Sequence, residues 1–190
     1  MRWLRRVRLS AAPVVAAAVL ACPALGQPVS EPALKAAFLY NFAKFTAWPA
    51  DTLAPGLPLA LCVVGDGAIA GTLAQIAKGH AVDGREVRVY QLSRDANLRN
   101  CHVLYLPGDD AQFASEIVDS LKTAPVFTVA DGKTAVQAGV VAGLFVENGR
   151  MRFAINVNAA QRARLHISSK VLALGLVVKA DAKDDEHAAR

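Results

Sequence analysis

The chain has 190 residues, with 21 lysines and arginines against 16 aspartates and glutamates, 54% hydrophobic residues and three cysteines. Four of the arginines, Arg2, Arg5, Arg6 and Arg8, come before residue 9, and after Gly26 the chain carries 17 basic against 16 acidic residues. A positive balance confined to the N-terminus excludes a nucleic-acid-binding surface, and no later stretch is long and apolar enough for a membrane span, which needs about 20 residues.

Residues 1–26 read as a secretory signal. The arginines form its positive segment, Leu9 to Ala21 is apolar apart from Ser10 and Pro13, and Ala24-Leu25-Gly26 supplies a cleavage site before Gln27. Two alternatives stand beside it. One is a membrane anchor, for which the apolar run is short. The other is lipidation at Cys22, where Val19-Leu20-Ala21-Cys22 loosely resembles a lipobox. Residues 27–179 then suit one α/β domain, and residues 180–190 a polar, flexible tail.

Ser30 to Trp48 is predicted helical. Ser30 can cap it, Pro32 fits the first turn, and Leu34, Phe38, Phe42 and Phe45 recur at helical spacing. Trp48-Pro49 ends it, because proline disfavours helix at the preceding residue. Leu59 to Val64 is a buried strand, and Ala68 to Lys78 a helix closed by Gly79. Asp83-Gly84 is a turn before an alternating strand, Glu86 to Leu92. Strand Cys101 to Leu106, helix Asp110 to Lys122 and strand Val126 to Val129 follow. Val140 to Val146 and Arg150 to Val157 flank Asn148-Gly149, a strong hairpin signal. Asn158 to Arg164 and Ser169 to Val178 read as helical pieces. Strands alternating with helices predict a layered α/β sandwich with a Rossmann-like, mainly parallel sheet and an antiparallel hairpin at its edge.

Cys62 and Cys101 each lie in an apolar, strand-like segment. In an oxidising compartment such a pair favours a disulfide, with two buried thiols as the alternative. Without a C-x-x-C motif it does not read as redox-active. Gly65-Asp66-Gly67-Ala68-Ile69-Ala70 fits the dinucleotide pattern, with Glu86 near the position of the ribose acid. A tight strand-to-helix turn accounts for it as well. His80, His102, His166 and His187 show no metal-ligand spacing, and no nucleophile signature is present. Tyr40 and Trp48 fall off the phenylalanine stripe, as interface anchors do. Arg150, Arg152, Arg162, Arg164, His166 and Lys170 concentrate positive charge. Either this is a solvated face, or Arg152, Asn156, Arg164 and His166 hold an anionic ligand.

Several separated segments resemble a known family. They are Ala37-Phe38-Leu39-Tyr40-Asn41-Phe42-Ala43-Lys44-Phe45-Thr46-Ala47-Trp48-Pro49, Leu61 to Gly65, Gly84-Arg85, Cys101 to Tyr105, Gly149 to Asn156 and Leu165 to Leu172. In this order they are similar to the YfiR family of periplasmic regulators. The resemblance implies a compact α/β sandwich with no enzymatic activity and no cofactor. It implies a repressor of an inner-membrane diguanylate cyclase, acting by binding that enzyme's periplasmic domain, with a sensor kinase as the alternative partner. Loss of repression, under reducing conditions or envelope stress, would raise cyclic di-GMP and promote biofilm. The partner interface is expected at Phe38, Tyr40, Phe42 and Trp48, with a homodimer as a further association. The family's first cysteine pair falls on Cys62 and Cys101. Its second has no counterpart, since Val140 to Phe153 holds no cysteine. The resemblance also implies a small anionic ligand near Arg164 and His166.

Overall fold

The computed structural model describes residues 29–108, 110–121 and 123–180. The expected signal at 1–26, Cys22 and the tail beyond Ala180 lie outside them. Helix α1 (Glu31–Lys44) is followed by the short strand β1 (Thr46–Ala47). Strand β2 (Leu59–Val64) runs into α2 (Gly67–Ala77), and a hairpin of β3 (Ala81–Val82) and β4 (Arg85–Leu92) comes next. Then follow β5 (Val103–Leu106), α3 (Ala111–Leu121), β6 (Phe127–Asp131) and the hairpin of β7 (Ala142–Glu147) and β8 (Arg150–Asn156). The chain closes with α4 (Val157–Arg162), β9 (His166–Ile167), α5 (Ser169–Leu172) and β10 (Leu176–Val178).

Eight strands form one sheet in the order β10-β8-β7-β6-β5-β2-β4-β3, while β1 and β9 make a separate antiparallel ribbon. Within the large sheet only β7–β8 and β3–β4 are antiparallel. This is the expected α/β sandwich. Its layers follow from side-chain alternation. Every residue of β2 is buried. Leu59, Leu61 and Val63 face a core built with Leu39 and Phe42 of α1 and Ile69 and Leu73 of α2. Cys62 and Val64 face the other way, into a smaller core with Leu104, Leu106 and Ala114 and Leu121 of α3.

Both hairpins turn where the sequence places them. Asp83 and Gly84 have φ of 49° and 74°, and Asn148 and Gly149 have 52° and 71°. Two successive positive φ values match the twist of the flanking strands, which is why Asx-Gly pairs occupy them.

Three expectations are corrected. The first helix stops at Lys44, not Trp48. Thr46–Ala47 instead pair with Ile167 and His166, and the Ser168 N–H donates to the Phe45 carbonyl at 2.9 Å. A ladder with a segment 120 residues away overrides the local helical pattern. The apolar run Ser169 to Val178 is helical only to Leu172, and its end becomes β10, parallel to Ala154–Asn156 of β8. Gly175 makes that possible: a Cβ there would lie 2.4 Å from Cε2 of Phe153. Consequently the β7–β8 hairpin is not the sheet edge, because β10 covers β8.

Cys62 and Cys101 are joined by a disulfide, with Cα atoms 5.8 Å apart. Cys62 lies on β2 and Cys101 just precedes β5, so the bond staples two neighbouring parallel strands. Gly143 is fixed by a close backbone approach, since a Cβ there would lie 2.4 Å from the Gly132 carbonyl oxygen.

Two outcomes follow. Gly143→Ala forces backbone apart rather than a movable side chain, so it lowers the urea midpoint by about 2–3 kcal/mol in stability at an unchanged denaturant slope. Reducing the bond that closes this 39-residue separation costs about 4 kcal/mol in the chain-entropy model, read from denaturation with and without reductant.

Candidate functional site

The four aromatics expected at a partner interface divide in two. Phe42 is buried, stacked on Phe127 with centroids 5.0 Å apart, and Phe38 packs edge-on against Phe153 at 5.5 Å. Their contacts are those of the core, so Phe42 offers no surface to a partner. Tyr40 and Trp48 are half-exposed, and each sets an aromatic ring edge-on to a histidine: Tyr40 to His80 at 6.3 Å, Trp48 to His102 at 5.9 Å. These two remain where a partner can reach them.

The expected anion ligands do not converge. Asn156 is fully buried. Its Nδ2 donates to the carbonyls of Val136 and Ala180, and its Oδ1 accepts from the Ala159 N–H and caps α4. That engagement removes it from a ligand set. Arg152 is exposed and lies 3.5 Å from Glu147 across the hairpin. Arg164, in the left-handed region at φ 54°, reaches Asp51 at 2.9 Å, and His166 is exposed on β9. Among the described residues no contact joins Arg152 to Arg164 or His166. Arg152 and Asn156 share β8, but α4 begins on Asn156 and takes up its side chain as a cap.

The dinucleotide-like turn is explained by its own acid. Gly65 has φ 70°, and the Asp66 carboxylate accepts from the Ala68 and Ile69 N–H groups. Those are the amides a phosphate would need, and a carboxylate already holds them. Glu86 lies near the start of β4, paired with Arg88 at 2.9 Å, away from the strand's C-terminal end. The motif is a capped strand-to-helix turn.

Sequence reasoning missed the polar knot at the C-terminal ends of β5 and β6. Asp131 Oδ2 accepts from Tyr105 Oη at 2.8 Å, the Gly108 N–H at 3.0 Å and Lys35 Nζ at 2.9 Å, and Lys35 also meets Glu31 at 2.8 Å. Burial lowers the Lys35 pKa, but the bonds from Glu31 and Asp131 outweigh it, and the net value lies above the ordinary one. Burial, then the bond to Asp131, pushes the Tyr105 phenol far up. Parallel sheets commonly bind ligands at this end. Here the knot ties α1 to the sheet. The Glu31–Lys35 pair, four residues apart in the first turns of α1, was the one local signal of it.

A groove of about 670 Å³ opens on the opposite face, lined by Leu57, Ala60, Tyr90, Arg99, His102 and the disulfide. His102 Nδ1 accepts from the Ala60 N–H at 3.0 Å. Burial and the Arg85 cation hold this imidazole below its ordinary pKa, so it is neutral with its proton on Nε2. Among the described residues, no three His, Cys, Asp or Glu side chains cluster to hold a metal. No helix among them is long and apolar enough to cross a membrane.

The model of the YfiR/HmsC-like family matches residues 32–175. A crystal structure of a conserved domain protein from Vibrio cholerae O1 biovar eltor str. N16961 superposes with a TM-score of 0.52 at 16% identity. The match covers 79% of this chain and 60% of that one, and at this identity it is a likeness of fold. No curated protein matches.

The knot has a pH signature. Lys35 and Tyr105 both have folded pKa values above their ordinary 10.5 and 10.0. Their stabilisation is therefore complete below those values and is lost as pH rises past them toward the folded values. The urea midpoint is expected to stay flat from neutral to about pH 9.5 and to fall beyond it. Lys35→Met and Tyr105→Phe each make that fall shallower. Lys35→Met also costs about 2 kcal/mol at neutral pH, by leaving Asp131 short of its cation.

Proposed function

The chain belongs to the YfiR/HmsC-like family, and from that membership we propose that it is a periplasmic regulator that restrains a membrane-bound diguanylate cyclase by binding the enzyme's periplasmic domain. The observation that carries this reading is the family match itself, which runs from the first turn of α1 to the entry of β10. The Cys62–Cys101 disulfide suits an oxidising compartment outside the cytoplasm. The half-exposed Tyr40 and Trp48 supply rings of the kind that anchor protein interfaces.

The mechanism is a population shift. The regulator binds the inactive form of its partner more tightly than the active form, and stress narrows that difference. Moving the enzyme from almost wholly active to almost wholly inactive takes about 5.5 kcal/mol of differential binding. The two half-exposed anchors, at roughly 2 kcal/mol each, contribute about 4 kcal/mol of it where they engage the inactive form alone, and the rest of the interface supplies the remainder. A second reading, a small-molecule sensor that reports to a membrane sensor kinase, draws on the groove lined by His102 and the disulfide and on the smaller cavity lined by Trp48.

Deleting the gene tests the proposal. Cellular cyclic di-GMP is expected to rise and to return when the wild-type chain is resupplied. Tyr40→Ala and Trp48→Ala, checked for unchanged far-UV circular dichroism, are expected not to restore it. Unchanged cyclic di-GMP on deletion, together with no binding to a cyclase's periplasmic domain, overturns the reading.

A further inference from the structure

One border of the large sheet is left open. Strand β4 runs eight residues, Arg85–Leu92, and pairs along its inner side with β2 from Val87 to Leu92. On its outer side β3 covers only Arg85 and Glu86. The Gly65 N–H donates to the Leu92 carbonyl at 2.9 Å, so Leu92 and, by alternation, Tyr90 and Arg88 turn their backbone groups inward. The N–H and C=O groups of Val87, Val89 and Gln91 therefore point outward. Among the described residues no hydrogen bond joins them to another group.

Sheets shield such borders with proline, a bulge or an unpaired charge. Val87 to Leu92 holds no proline, and its unbroken register with β2 leaves no bulge. Its one charged residue, Arg88, is neutralised by Glu86 of the same strand at 2.9 Å. Beyond β3, a groove of about 620 Å³ runs beside Val87 and Val89, bounded by Ala74, Lys78 and His80. On the opposite face of the sheet Tyr90 is 40% exposed.

We propose that a second copy of this chain pairs with β4 along this edge, antiparallel about a two-fold axis, and joins the two sheets into one. The pattern of free groups selects the occupant. An antiparallel copy of the same strand presents its outward groups at the same alternate positions, so each N–H meets a carbonyl. The neutral Glu86–Arg88 pair leaves no like-charge repulsion between copies. The register follows from β3. Centring the pair on Val89 would set Leu92 of the copy opposite Glu86, a position that Ala81 already holds. The next register in which outward groups meet is centred on Tyr90. It places Val89 opposite Gln91 of the copy, and the reverse, with backbone bonds closing in both pairs. The two Tyr90 rings then stand opposite each other on one face. Each Arg88 lies diagonal to the other copy's ring, within reach of a cation–π contact. One short strand pair buries less than the roughly 1,200 Å² of standing complexes, so the dimer is expected to be weak, with a Kd of about 10–100 µM. The edge includes neither Tyr40 nor Trp48, and the proposal stands or falls independently of the regulatory reading.

Sedimentation of the chain as cells produce it, from about 1 µM to about 1 mM, reads the association. A monomer–dimer equilibrium is expected, with the Val89 and Gln91 amides exchanging about fivefold more slowly at the top of that range than at the bottom. Tyr90→Lys and Tyr90→Glu each set like charges opposite one another. Each is expected to weaken the dimer at least about tenfold, and an equimolar mixture of the two to regain it. Because the ring is exposed, the melting temperature of the monomer is expected to stay unchanged in both. A chain that remains monomeric to about 1 mM, whether or not a strand of another protein takes this edge, overturns the proposal. So does a dimer that Tyr90→Lys leaves intact, a mixture no tighter than its separate variants, or Val89 and Gln91 amides that exchange alike at every concentration.

Discussion

A strand that is apolar along both its faces must be covered on both, and β2 imposes that requirement on the rest of the molecule. Leu59-Ala60-Leu61-Cys62-Val63-Val64 leaves no side for solvent. It has parallel neighbours on each side, β4 and β5, and parallel pairing demands crossover connections that pass over the sheet. Helices α1 and α2 fall on one face and α3 on the other, and two cores of unequal size result. The disulfide reinforces the same place, because Cys62 is a β2 residue and Cys101 leads into β5.

The larger core also explains why the aromatic stripe of α1 serves two purposes. Phe38 and Phe42 mesh with Phe127 and Phe153 and hold the helix down. The Lys35–Asp131–Tyr105 knot holds it at the strand ends, with directional bonds where the apolar contacts give none. A helix held at both levels presents Tyr40 in a fixed direction, and the chain that leaves it presents Trp48. A preorganised surface of this kind loses less entropy on binding a partner than a mobile one does.

Trp48 is the point at which the surface and the interior meet. Its ring stands edge-on to His102, which lines the groove beside the disulfide, and the residue also lines the smaller cavity under the 50–57 loop, with its indole nitrogen shielded.

The sequence by itself determined the elements whose signals are local. The apolar run of β2, the Asn148-Gly149 and Asp83-Gly84 turns and the strand–helix alternation all specify their structure from neighbouring residues, and the sheet class follows from them. The Cys62–Cys101 bridge was legible because two apolar cysteine-bearing strands have few other places to go. What only the tertiary structure decided depends on partners far along the chain. Thr46–Ala47 became a strand because His166–Ile167 lay beside it. Leu176–Val178 left the helix because Gly175 could lie against Phe153. Asn156 turned from a candidate ligand into a buried cap because α4 begins on it. Local patterning sets which conformations a segment can adopt, and long-range pairing chooses among them. The open edge of β4 became visible only once folding had determined which backbone groups found partners.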